Sequence, residues 1–150
     1  YGENELVRKS FDLKLLIDND TFYKATVPQS SYVLNGNLLQ IYPGEDLLFE
    51  AEVEKDKIVR LTAVRENKFP EKTIEIKFEQ VCDGLIHKSM MLSIKNPFNK
   101  DLNYEALIYL MKNKKWVSTS ILPVLAGKQA FETWPDIIVS IALNNFTLKE

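Results

Sequence analysis

Cys82 and His87 are the single cysteine and the single histidine of the chain, and they stand close together. A thiol becomes a nucleophile when a neighbour lowers its pKa, and an imidazole is a common neighbour. Asp83-Gly84 between them reads as a turn. The spacing therefore favours a partly buried structural thiol and a solvated histidine over a catalytic pair. One cysteine and one histidine cannot build a Cys₄, Cys₂His₂ or His-x-Glu-x-x-His zinc site. Asp18-Asn19-Asp20 lacks the glycine and the distal glutamate of a calcium loop and reads as a polar turn. There is no Gly-x-Ser-x-Gly elbow and no glycine-rich phosphate loop, so the sequence points to no metal and no cofactor.

Carboxylate pairs are the remaining catalytic option. Glu50, Glu52 and Glu54 share one strand face, as do Glu75 and Glu79. A glycosidase needs two carboxylates about 5–10 Å apart across a cleft. Neighbours on any strand face satisfy that distance, so a solvated acidic face is the stronger reading and a carboxylate-pair hydrolase the weaker one. A non-enzymatic chain is the expectation. The candidate binding residues are Lys112, Lys114, Lys115 and Trp116, at the tip of an expected hairpin. Loop tips on a rigid scaffold are common binding sites, and tryptophan offers contact area at low entropic cost. The ligand class this suggests is another protein or an anionic envelope component. A lysine-rich turn that only keeps a hairpin soluble is the competing reading.

The formal net charge of −2 argues against a nucleic-acid binder, which needs a clearly basic domain. An apolar content of 45 % is enough to offset chain entropy by burial, which excludes disorder as the main state. No apolar run approaches the roughly 20 residues of a transmembrane helix. The lone thiol cannot form an intramolecular disulfide, and so leaves the compartment open. The chain begins Tyr1-Gly2-Glu3-Asn4-Glu5 without methionine, and a removed export leader or a trimmed start is the expectation.

Most of the chain alternates with a period of two, the signature of half-buried strands. Leu13, Leu15 and Ile17 alternate with polar neighbours, although Leu16 interrupts them. Thr21 to Val27 reads as a strand, and Leu38 to Tyr42 as a short apolar run closed by Pro43-Gly44. Phe49, Ala51 and Val53 oppose Ala63, Leu61 and Val59 if Lys55-Asp56-Lys57 is a three-residue loop. That register sets Glu52 beside Arg60 on the wet face, whereas a two-residue loop mixes the faces. Ile74, Ile76 and Phe78, then Met90, Leu92 and Ile94, continue the theme. Tyr104–Met111 is apolar on both faces. A helix capped by Asp101 or Asn103 and a doubly buried strand both fit it, and its neighbours favour the strand. Trp116 and Trp134 fit either the ends of the core or a binding patch.

The polar stretch Arg65–Lys72 suggests a division into an N-terminal β unit, residues 1–68, and a second unit, residues 69–150; one continuous domain is the alternative. The second unit carries a strand ending in Asn96-Pro97, a return strand at Leu102–Met111, and the corner Pro123-Val124-Leu125-Ala126-Gly127-Lys128. Over about residues 73–148 it resembles the immunoglobulin-like or fibronectin-III-like sandwiches of exported bacterial proteins, without the paired cysteines of antibody domains. The resemblance implies an all-β fold, an immunoglobulin-like β-sandwich with an additional N-terminal β unit. It also implies a binding or structural module of the cell envelope or exterior, in the periplasm or at the cell surface. A subunit that recruits another chain by sheet-edge strand addition is the second reading. The fold itself implies no reaction.

Overall fold

Turn residues and alternating strands together set the architecture. The computed structural model describes residues 6–150. Residues 1–5, on which the expectation of a removed leader falls, lie outside the described residues. The strands of the N-terminal half are β1 (Val7–Arg8), β2 (Phe11–Asp18), β3 (Thr21–Val27), β4 (Ser30–Ser31), β5 (Val33–Leu34), β6 (Leu38–Ile41), β7 (Glu45–Glu54) and β8 (Lys57–Val64). A single 3-10 turn, Pro70–Lys72, follows. The remaining strands are β9 (Thr73–Asp83), β10 (Ile86–Lys95), β11 (Asp101–Leu110), β12 (Lys115–Thr119), β13 (Gln129–Trp134) and β14 (Ile138–Lys149).

Two sheets pack face to face, in a sandwich-like, all-β architecture. One runs β8-β7-β9-β10-β13, the other β12-β11-β14-β6-β5. Phe49, Ile74, Ile76, Phe78, Met90, Leu92 and Ile94 from the first sheet meet Leu39, Ile41, Leu102, Ile138, Ile141 and Leu143 from the second. All are almost wholly buried. The core thus draws residues from both sides of the Arg65–Lys72 stretch. The sheets join along one side, where Thr147 of β14 pairs with Lys57 of β8 and the Leu148 N–H donates to the Asp56 carbonyl at 2.8 Å. On the opposite side β12 and β13 each pair with one strand only among the described residues.

The β7–β8 hairpin corrects the expected turn and keeps the expected pairing. Lys55 and Asp56 have φ of 51° and 63°, which is the backbone of a two-residue type I′ turn. Such a turn alone would mix the faces. A bulge at Val59 inserts one residue and restores the register, so that Glu52 still pairs with Arg60, Ala51 with Leu61 and Phe49 with Ala63. Val53 pairs with Ile58 and not with Val59. Accordingly Ile58 is buried at 3 % exposure while Val59 is 40 % exposed.

Tyr104–Met111 resolves as strand: β11 covers all of it but Met111. Only one face is buried, against the expectation of two. Ala106, Ile108 and Leu110 enter the core, whereas Leu107 is 37 % exposed. No helix among the described residues is long and apolar enough to cross a membrane.

The β2–β3 hairpin stands apart from the main core. Leu13, Leu15 and Val27 form a second apolar cluster with Val139, against which Tyr109 and Met111 also pack. The polar interior is satisfied: no described buried side-chain nitrogen or oxygen lacks a hydrogen-bond partner.

Candidate functional site

The hairpin tip forms as the lysine pattern requires. Met111–Lys114 is a turn, closed by the Lys114 N–H donating to the Leu110 carbonyl at 3.0 Å, with Lys114 at a φ of 53°. Lys112, Lys114 and Lys115 are all exposed. Among the described residues the one carboxylate in an ion pair with them is Asp136, 4.0 Å from the Lys112 ammonium. Trp116 is the second residue of β12 and is 42 % exposed. Its ring lies 5.3 Å from that of Tyr109 on β11 at an interplanar angle of 47°. Cross-strand pairing sets Tyr109 beside Trp116 and Leu107 beside Ser118 on the face away from the core.

The four residues therefore sit at the start of a sheet edge with no partner strand among the described residues. A shallow depression of about 460 Å³ lies against β11 and β12, its lining including Leu107, Ser118, Thr119 and Ile121. Trp134 behaves differently. It is buried, and its Nε1–H donates to Thr119 Oγ1 at 2.8 Å, tying β13 to the end of β12.

Cys82 and His87 do come together. The β9–β10 turn pairs them directly across the strands. The thiol is exposed, which corrects the expectation of a partly buried one. The imidazole is half-buried rather than freely solvated, and both its nitrogens are engaged: Nδ1 lies 2.9 Å from Gln80 Nε2, and Nε2 lies 2.9 Å from the Pro135 carbonyl. Both nitrogens thus have partners other than the thiol. The acidic residues are dispersed. Glu75 pairs with Lys95 at 3.3 Å and Glu79 with Lys77 at 3.6 Å, both across or along an exposed face. No group of three metal-ligating side chains occurs among the described residues.

One cluster was not legible in the sequence. Arg8 is buried at 2 % exposure and forms a fork to Glu45, Nε to Oε2 at 2.8 Å and one Nη to Oε1 at 2.7 Å. It also donates to Ser30 Oγ at 3.1 Å and to the Gln40 carbonyl at 2.8 Å. The rings of Tyr32 and Tyr42 cover it, with centroids at 4.4 and 4.8 Å. Burial, followed by the Glu45 charge, raises the pKa of the Tyr32 phenol. The arrangement binds β1 and β4 to the start of β7. Beside it lies an open cleft of about 910 Å³, whose lining includes Lys9, Arg65, Lys68, Phe69 and Glu50.

Comparison of the chain with protein-family models, with curated proteins and with solved structures finds no match.

Proposed function

We propose that the chain is a non-catalytic binding module that takes an acidic, extended segment of another protein along the free edge of β12. The observation that carries this reading is the coincidence of three features in one short stretch. An unpaired edge offers main-chain hydrogen bonds, the exposed Trp116 ring packed on a half-buried Tyr109 flanks it, and three ammonium groups stand at its end. Strand addition draws its affinity from the ladder and its selectivity from alternate side chains. Trp116 and Leu107 supply apolar contact on the outer face. Lys112, Lys114 and Lys115 supply the sign of the partner.

The sheet pairing supports an immunoglobulin-like reading of the sandwich. β10 pairs with β13 and β11 with β14, so the chain crosses between sheets as the B–E and C–F strands of such domains do. In this reading β9 takes the place of strand A, and β6 lies beside β14 where strand G would stand. An envelope or extracellular setting belongs to the same proposal and is supported by the resemblance to exported sandwiches.

Calorimetry with the peptide acetyl-Glu-Val-Asp-Val-Glu-Val-Asp-amide tests the function. Weak, salt-sensitive binding is expected, because exposed charges are screened within about 10 Å at 0.1 M salt. Replacing the three lysines by alanine should abolish it, and so should N-methylation of alternate peptide nitrogens. Equal binding of the methylated peptide, or of polyglutamate, would mean charge attraction without strand pairing and would overturn the proposal. No binding at low salt would reduce the hairpin to a solubilising turn.

A further inference from the structure

The β2–β3 hairpin is joined to the first sheet by very little main chain. Ile86 with Asp18 is the single register pair between β10 and β2. Beyond it, the side chain of Gln80 stands in for a strand. Its Oε1 accepts the Leu16 N–H at 3.0 Å, and its Nε2 donates to the Leu16 carbonyl at 2.8 Å. A main-chain N–H can only donate and a carbonyl can only accept, so the orientation of the amide is fixed. The second Nε2 hydrogen then points at His87 Nδ1, 2.9 Å away. Nδ1 must be unprotonated, and the ring proton sits on Nε2, 2.9 Å from the Pro135 carbonyl. Every bond of the relay works in one direction only.

We infer that this relay is a proton-operated latch, in which protonation of His87 at Nδ1 releases the β2–β3 hairpin from the sandwich. The protonated ring sets N–H against N–H at Gln80. Flipping the amide meets the ring, but it turns the NH₂ group toward the Leu16 N–H and the oxygen toward the Leu16 carbonyl. Both main-chain bonds are then lost. What remains to hold the hairpin is the Ile86–Asp18 pair and the cluster of Leu13, Leu15, Val27 and Val139 with the partly buried side chains packed on it, Tyr109 and Met111 among them. Elements with few apolar contacts are the first to open locally. Arg8, before the hairpin, stays tied to Glu45, and Ser30, after it, stays tied to Arg8, so the release is a local opening.

Ionisable groups come to the latch from each neighbouring element. Cys82 of β9 lies directly opposite His87. Asp83 and Lys88 form a 4.0 Å pair beside the β9–β10 turn. Asp18 of β2 pairs with Ile86. Asp136 follows Pro135 and meets Lys112 at 4.0 Å. The latch depends on no ligand at β12.

Amide hydrogen exchange on the full chain tests it at about pH 7.5 and about pH 5.5, on either side of the range in which imidazoles take up protons. After correction for intrinsic exchange, protection of the Leu16 amide and its β2–β3 neighbours should fall by up to about tenfold at the lower pH, the limit that one ordinary imidazole sets. Protection in β9, β11 and β14 should hold. His87→Gln can accept from Gln80 but cannot titrate, and should make hairpin protection independent of pH. Nitrogen-15 shifts of the ring should report the Nε2–H tautomer at the higher pH. Constant hairpin protection in the unmodified chain would overturn the inference. So would an equal fall in His87→Gln, which would assign the effect to carboxylates, or the Nδ1–H tautomer.

Discussion

Gln80 and Leu16 are joined by two hydrogen bonds, of 3.0 and 2.8 Å, between a side-chain amide and a main-chain peptide unit. The amide continues the sheet where β2 turns away from it. Gln80→Ala removes both bonds and the contact to His87. Two net hydrogen bonds are worth about 1–3 kcal/mol together. Chemical denaturation should show a loss in that range, and hydrogen exchange should place the loss in β2 and β3. A loss below about 0.5 kcal/mol would mean that the apolar cluster alone holds the hairpin.

Arg8 offers a sharper energetic test. Removing one partner of a buried pair strands the other, at a cost of about 3–5 kcal/mol. Arg8→Ala should cost that much in denaturant unfolding, because the Glu45 carboxylate keeps only the Tyr42 N–H, at 2.8 Å, among its described hydrogen bonds. Arg8→Lys should recover little, since an ammonium cannot make the two-pronged contact or lie flat between Tyr32 and Tyr42. Full recovery by lysine would contradict the fork.

Strand β11 predicts a contrast between neighbours. Ile108→Ala should cost about 2–5 kcal/mol, and Leu107→Ala no more than about 1 kcal/mol, because only Ile108 faces the core. Equal losses would mean that the outer face is covered as well.

The β7–β8 turn predicts a gain. A non-glycine residue in the left-handed region costs about 1–2 kcal/mol. Lys55→Gly should therefore raise stability by up to about 1 kcal/mol, measured as a shift of the denaturation midpoint. Asp56→Gly should gain less, because Asp56 accepts a 2.8 Å hydrogen bond from Lys100.

How much of this was legible depended on how local the cause was. Phe49, Ala51 and Leu61 announced their face by alternation, and the pairing of Glu52 with Arg60 followed from matching apolar faces. The turn was misread because a bulge at Val59 leaves no mark in the pattern: Ile58-Val59 is simply two adjacent β-branched residues. Leu107 misled for a related reason, since an exposed leucine on a free-edge pair looks the same as a buried one. Gln80 and Arg8 carried no readable signal. Their partners, Leu16 and Glu45, lie far away in sequence, and only the folded chain brings them within reach. The lysine tip was legible because charge run, turn and tryptophan are contiguous, but the free edge beside it depends on where every other strand pairs.

The most direct test of the proposed function is a titration of the isotopically labelled chain with acetyl-Glu-Val-Asp-Val-Glu-Val-Asp-amide, followed by amide chemical shifts and hydrogen exchange. Strand addition predicts shifts at Lys112–Thr119, with new protection confined to alternate amides of β12. Shifts that instead centre on Arg65, Lys68 and Phe69, or tip shifts without any gain of protection along β12, would contradict it.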